Sequence, residues 1–339
     1  KATRDPQVLS VTLNKPGLSI RTPATIQIFS DAAKQQGRAA AAYVDPAPYE
    51  HPLVRAFGFS AMPAGANKWQ TLLAISFPAV VGPAGADVDV RAVVRLGSQD
   101  VDDFKRSIHV DPAPNGGTSR TVTLMGDTPL KEGQYDLTVV LTKPGGDPIV
   151  SAETDFVVPA VINDLLILRG PISGRVVPGG LFMRANKKEK TEDSRLGKVL
   201  GPENGFEPLL VQEIDKTDKL VFYWSGCVYG KNPVPADAVV ARTIVTATGD
   251  PAHAYPPVPL KLESRGKDVS CLDMLETLPS GTLASGQYRI DVVVTHPNGD
   301  VIALWLQGNS LWYARWTPAA GLVEHSMVES SSFPINRAA

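Results

Sequence analysis

The sequence predicts an all-β protein: two Ig-like or fibronectin-like β-sandwiches in tandem, preceded by an N-terminal β appendage. Three observations predict it. The stretch "LKEGQYDLTVVLTKPGGD" (130–147) returns as "LASGQYRIDVVVTHPNGD" (283–300). In both copies apolar residues alternate with polar ones at a period of two, the pattern of a half-buried strand. Gly and Pro number 29 each, and they punctuate the chain about every ten residues, as turns between short strands do.

The repeated stretch is a closing hairpin. Tyr135, Leu137, Val139 and Leu141 face one way in the first copy, and Tyr288, Ile290, Val292 and Val294 do so in the second. Pro-Gly-Gly-Asp or Pro-Asn-Gly-Asp then supplies the positive φ of a tight turn, and another strand follows. The Leu-x-x-Gly-x-Tyr lead-in has the chemistry of a tyrosine corner, in which the hydroxyl turns back onto the preceding loop. Tyr135 and Tyr288 are assigned that structural role. A spacing of about 150 residues is too long for a solenoid repeat and suits tandem domains.

Residues 1–48 hold strand-like runs, "QVLSVTLN" and "ATIQIFS", and then the Ala-rich "AAKQQGRAAAAY". This piece is too small for its own core, so it docks on the next domain or completes something upstream. Residues 49–160 form the first sandwich, with "DVDVRAVVRL" turning Val88, Val90, Ala92, Val94 and Leu96 inward. "VPAVIND" (158–164) reads as a short linker. The second sandwich, 161–320, begins with "LLILRG" and "GGLFMR" and carries a charged insertion at 185–198, expected to be an exposed loop or short surface helix. Residues 321–339 read as a Ser-rich tail, ordered only where a partner holds it.

Bulk composition narrows the function classes. At 339 residues the chain exceeds one ordinary core. Its net charge of -2 excludes the basic excess that nucleic-acid binding needs. No apolar run approaches the roughly 20 residues of a membrane-spanning helix. The chain opens at Lys1 without a signal-peptide pattern, as a processed product or part of a longer protein would. Cys227 and Cys271 can pair as a disulfide, which suits an oxidising compartment, or remain as two buried thiols.

Catalytic signatures for serine hydrolases, zinc proteases and nucleotide binding are absent, and the five His (51, 109, 253, 296 and 325) are scattered. We therefore expect no enzyme activity, no cofactor and no metal. Asp100, Asp102 and Asp103 cluster in "SQDVDDF", but solvated turn carboxylates explain them better than a calcium loop. The aromatic C-terminal segment stands out. Trp312, Tyr313, Arg315 and Trp316 form a candidate partner-binding set, since one strand face presents an aromatic beside a cation. The competing assignment puts at least two of Trp305, Trp312 and Trp316 in the core, with Trp224 also buried.

The strand "LSVTLNKPGLSIRT" (9–22), the two corner hairpins and "ENGFEPLLVQEIDKTDKLVFYWSGCVYG" (203–230) resemble the C-terminal Ig-like region of the VWFA-related exported proteins of Acidobacteria and neighbouring phyla. The Asp-x-Ser-x-Ser metal loop of that family's A-domain is missing here, so no ion site carries over. The resemblance implies an exported, periplasmic or extracellular protein. We expect a non-catalytic binding or structural scaffold. It would engage a protein partner or multi-subunit envelope complex, with peripheral membrane-complex association, through sandwich edges, loops and the aromatic segment. A carbohydrate-binding accessory module and a hydrolase with an unrecognised site are the alternatives.

Overall fold

The computed structural model describes Pro16 and residues 31–65, 67–112, 119–143, 149–161, 166–176, 181–184, 195–200, 206–210, 219–231, 237–307 and 310–330. Its strands form four sheets. The alternation of apolar residues seen in the sequence puts each in contact with a neighbour's face.

The first half makes two of them. One sheet runs β1 (Arg55–Gly65), β2 (Lys68–Val80), β5 (Ser119–Lys131) and β9 (Leu181–Arg184). The other runs β4 (Gln99–Val110), β3 (Ala86–Leu96), β6 (Gly133–Thr142) and β7 (Ile149–Val158). They close on a core of Trp69, Leu73, Phe77, Val90, Phe104, Leu124, Tyr135, Leu137 and Phe156 among others. Gly58 is required where β1 crosses β7, because a Cβ there would stand 2.5 Å from the Phe156 ring. Val88, Val90, Ala92 and Val94 point inward as the alternation predicts. Leu96 does not: it sits at the strand's end and is 40% exposed.

The second half repeats the plan. One sheet runs β10 (Phe206–Pro208), β8 (Leu166–Val176), β11 (Leu220–Tyr229), β15 (Val269–Leu278) and β14 (Glu263–Gly266). The other runs β13 (Pro251–Pro259), β12 (Val239–Thr246), β16 (Tyr288–Thr295), β17 (Val301–Gln307), β18 (Ser310–Thr317) and β19 (Gly321–Ser330). Between them lie Leu168, Trp224, Val228, Val240, Val292, Val294 and Ile302, with Leu220, Phe222 and Ile244 in an adjoining cluster.

The two sandwiches are fused face to face. A third apolar core joins Phe59, Ala61, Met62, Leu72, Ala74 and Met125 of the first to Ile172, Val221, Tyr223, Cys227, Val269 and Cys271 of the second. Buried polar links cross the same seam: Arg169 Nε donates to the Ser60 carbonyl at 2.7 Å, and the Ser225 hydroxyl donates to the Ala61 carbonyl at 2.7 Å. The Arg169 guanidinium also lies over the Phe59 and Trp69 rings, at 5.0 and 5.4 Å. Gly170, with φ +95°, permits the bulge that aims Arg169 this way, and a Cβ there would meet the Tyr223 carbonyl at 2.7 Å. The result is a four-layer stack whose two middle sheets are buried on both faces. That explains why β11 is buried at nine consecutive positions instead of alternating.

Several expectations change accordingly. The described part of the N-terminal appendage is helical: α1 (Asp31–Val44) packs on β6 and β7 of the first sandwich. An Ala-rich run lacking β-branched residues favours helix. The strands expected at 7–14 and 24–30 lie outside the described residues. "LFMR" does not belong to the second sandwich, since β9 pairs in parallel with β5 of the first. The linker reading of 158–164 fails at its start, where Val158 is fully buried at the end of β7. Of the charged insertion, 185–194 lies outside the described residues, while α2 (Arg195–Leu200) buries Leu196 and Leu200 in the seam core. Residues 321–330 are no tail: they form β19, paired antiparallel with β18.

Candidate functional site

The two corner tyrosines occupy equivalent places in separate cores. The Tyr135 hydroxyl donates to the Lys131 carbonyl at 2.9 Å, and that of Tyr288 donates to the Ala284 carbonyl at 2.8 Å, four residues back each time. Tyr135 is buried and stacks on Phe156 with ring centroids 5.6 Å apart, whereas Tyr288 is half-exposed. Burial pushes the Tyr135 phenol above its ordinary range, and the bond to Lys131 pulls weakly the other way. Cys227 and Cys271 are opposite each other on β11 and β15 and are joined as a disulfide, fully buried in the seam.

Several charged groups are paired within the sheets. Asp100, Asp102 and Asp103 stand on β4 itself, not in a turn. Asp100 accepts from Arg95 and Asp103 from Arg91, both at 2.9 Å, while Asp102 accepts from Thr128. Inside the second sandwich Arg242 and Glu276 form a buried ion pair; Trp224 Nε1 donates to the same carboxylate at 3.1 Å. Arg242 also donates to the Pro256 carbonyl at 2.7 Å, fastening β13 to the sheet. Among the described residues no three His, Cys, Asp or Glu side chains converge into a metal-holding group.

The predicted aromatic set falls on β18. The register pairs Trp316 with Val301, Arg315 with Ile302, and Trp305 with Trp312. Ile302 is buried in the core, so Arg315 shares the core-side face and Trp316 takes the opposite one. Trp316 and Arg315 are therefore on different faces of one strand, and Trp316 is 42% exposed. The side chains of Trp305, Trp312 and Tyr313 lie outside the described residues. Arg315 lies near His296 in the β16–β17 turn. Burial lowers the His296 pKa, Asp300 opposes that, and the Arg315 charge reinforces it.

What sequence reasoning missed is the strand beyond. β19 is the outer edge of a six-stranded sheet and runs for ten residues. An edge strand offers a row of unpaired backbone N–H and C=O groups, and proteins normally guard such rows. The other edges are guarded. β13 carries Pro251, Pro256, Pro257 and Pro259. β4 is lined by Asp100, Asp102, Asp103, Lys105 and Arg106. β9, β10 and β14 have three or four residues each. β1 carries Pro63 and two register shifts and packs across β7. β7 is covered at one end, where Glu50 bridges to Ser151 and the Ser151 hydroxyl donates to the Pro46 carbonyl. β19 shifts register twice against β18, at Val323 and Val328, but has no Pro, no charge run and, among the described residues, no covering element. Leu322 and Val323 on it are 62% and 52% exposed, and Leu322 pairs with Trp316 across the ladder. The sequence signal was present: ten residues without Pro, bounded by Gly321, after a strand and a Pro-containing turn.

No family model matches the chain, and no curated protein sequence matches it. Among solved structures, it is similar to the crystal structure of red sea bream transglutaminase, at 10% identity and a TM-score of 0.22, over 76% of this chain. The chain spans about 31% of that protein's length.

Proposed function

We propose that the chain is a non-catalytic, exported structural subunit that joins a protein partner, within a cell-envelope assembly, by strand addition to β19. The observation that carries this reading is the contrast among edges: β19 alone, among the described strands, is a long edge with no Pro, no charge run and no covering element, flanked by exposed apolar side chains. Strand addition draws affinity from backbone hydrogen bonds and specificity from alternate side chains, which needs no concave pocket. The buried disulfide supports an oxidising compartment. The corner hairpins and the resemblance to VWFA-related exported proteins support the same placement. The rigid four-layer stack suits a part that holds another chain in a fixed position.

The test is native electrophoresis of envelope extracts carrying either the natural chain or Leu322→Lys/Val323→Lys. Charges placed on an edge block pairing without touching any core. The natural chain is expected in a band larger than itself and the variant as a free chain. Both running in the same large band would overturn the assignment of the edge, and both running free would overturn the partner.

A further inference from the structure

The first sandwich differs at its two ends. At the corner end Trp69, opposite Leu130, and Tyr135 fill the space between the sheets, and all three are buried. The opposite end carries smaller side chains, Ala79 on β2 and Val88 on β3, and holds a cleft of about 210 Å³. Its floor is Val54, Phe77, Ala79, Val88 and Leu141, all buried. Its rim includes His51, Val80 and Lys143, with Val80 64% exposed. We infer that this cleft binds a free alkyl carboxylate, with the chain between the sheets and the head group at Lys143 and His51.

The alkyl chain follows from the floor. An engineered apolar cavity of roughly 150 Å³ stays dry and admits benzene, and this cleft is larger. Burying a chain against such walls gains about fourfold in affinity per methylene.

The carboxylate follows from the rim. The core-side alternation of β6, Leu137, Val139 and Leu141, next reaches Lys143, one step past the Asp89–Thr142 pair that ends the β3–β6 ladder. Period two calls for an apolar residue at that place; an exposed ammonium stands there instead, on the rim of an apolar cleft. His51 is fixed by its own turn. The Leu53 N–H donates to His51 Nδ1 at 3.2 Å, so the neutral ring carries its proton on Nε2 and is a donor there. None of the described residues lining the cleft is Asp or Glu. Two donors and no acid beside an apolar floor complement an anion, and the two oxygens of a carboxylate can accept from both. β19 lies in the other half, so the cleft and the edge are tested separately.

The experiment is isothermal titration calorimetry of the purified chain with acetate, butanoate, hexanoate and octanoate. The controls are 1-octanol, which is uncharged, and octyltrimethylammonium, which is cationic. Affinity is expected to climb about fourfold per methylene from butanoate to hexanoate, with octanoate tighter than either control. Lys143→Gln is expected to weaken octanoate about two- to fivefold and leave octanol unchanged. Val80→Glu, a change at an exposed position, is expected to weaken octanoate alone. Both variants should keep the far-UV circular dichroism spectrum of the natural chain. Carboxylate affinity that does not rise with chain length overturns the cleft as a binding site. Either control binding as tightly as octanoate, or Lys143→Gln with undiminished octanoate affinity, overturns the carboxylate.

Discussion

Leu72 and Leu73 are neighbours on β2 that enter different cores. Leu73 fills the first sandwich, while Leu72 points the other way into the seam between the sandwiches. They are 4% and 0% exposed. Truncating either to Ala removes about three carbons of buried apolar surface, roughly 2.4 kcal/mol at ~0.8 kcal/mol per methylene. The residual cavity raises the cost to about 3–4 kcal/mol in a closely packed site. If the seam is packed like an interior, Leu72→Ala and Leu73→Ala lose the same stability to within about 1 kcal/mol. Urea unfolding followed by tryptophan fluorescence and far-UV circular dichroism measures both. A seam core also couples the halves, so the two signals should change in one coincident transition. A cost below about 1 kcal/mol for Leu72→Ala beside a full cost for Leu73→Ala would show the seam to be a loose domain contact, and the four-layer fusion would be wrong.

The corner tyrosines make a second paired comparison. Tyr135→Phe, which orphans a carbonyl in a part-buried place, should cost about 1–2 kcal/mol, and Tyr288→Phe about 0.5 kcal/mol because water replaces its bond; equal costs on thermal unfolding would contradict the difference in burial. Glu276→Ala strands the buried Arg242 charge and should cost about 3–5 kcal/mol, whereas Arg242→Met/Glu276→Met should lose much less; a double-mutant cycle in urea decides it. Asp136 faces Asp155 across β6 and β7, and burial first, then the Asp155 carboxyl, raises its pKa. The folded state therefore binds the proton more readily than the unfolded one, and stability rises as pH falls from neutral toward the ordinary carboxylate range. Asp155→Asn should gain a few tenths of a kcal/mol at pH 7, shrinking on acidification; a gain that grows toward acid pH would reverse the sign.

Much of the fold was legible because its strands obey the period-two rule locally. Tyr135 through Leu141 announce a strand with one buried face, and the repeated Gly-Gln-Tyr shows that the device occurs twice. What escaped depends on contacts between distant segments. Leu72, Ala74 and Met125 look like the unused face of a two-layer sandwich, and only the opposing sheet makes them core. The four prolines of β13 argue against a strand until Arg242 is seen holding Pro256 at an edge, where a missing N–H costs nothing. The aromatic cluster at 305–316 drew attention by composition. The edge beside it is a property of backbone pairing that no single side chain reveals.

The fused seam has a mechanical corollary. Four sheets at about 10 Å spacing make a block roughly 30 Å thick, crossed by Arg169 and by the β9 strand lent from one half to the other. Among the described residues, apolar side chains and buried hydrogen bonds fill its middle. α1 lies on one outer sheet and β19 edges the opposite one, so the distance between them is set by side-chain packing through all four layers.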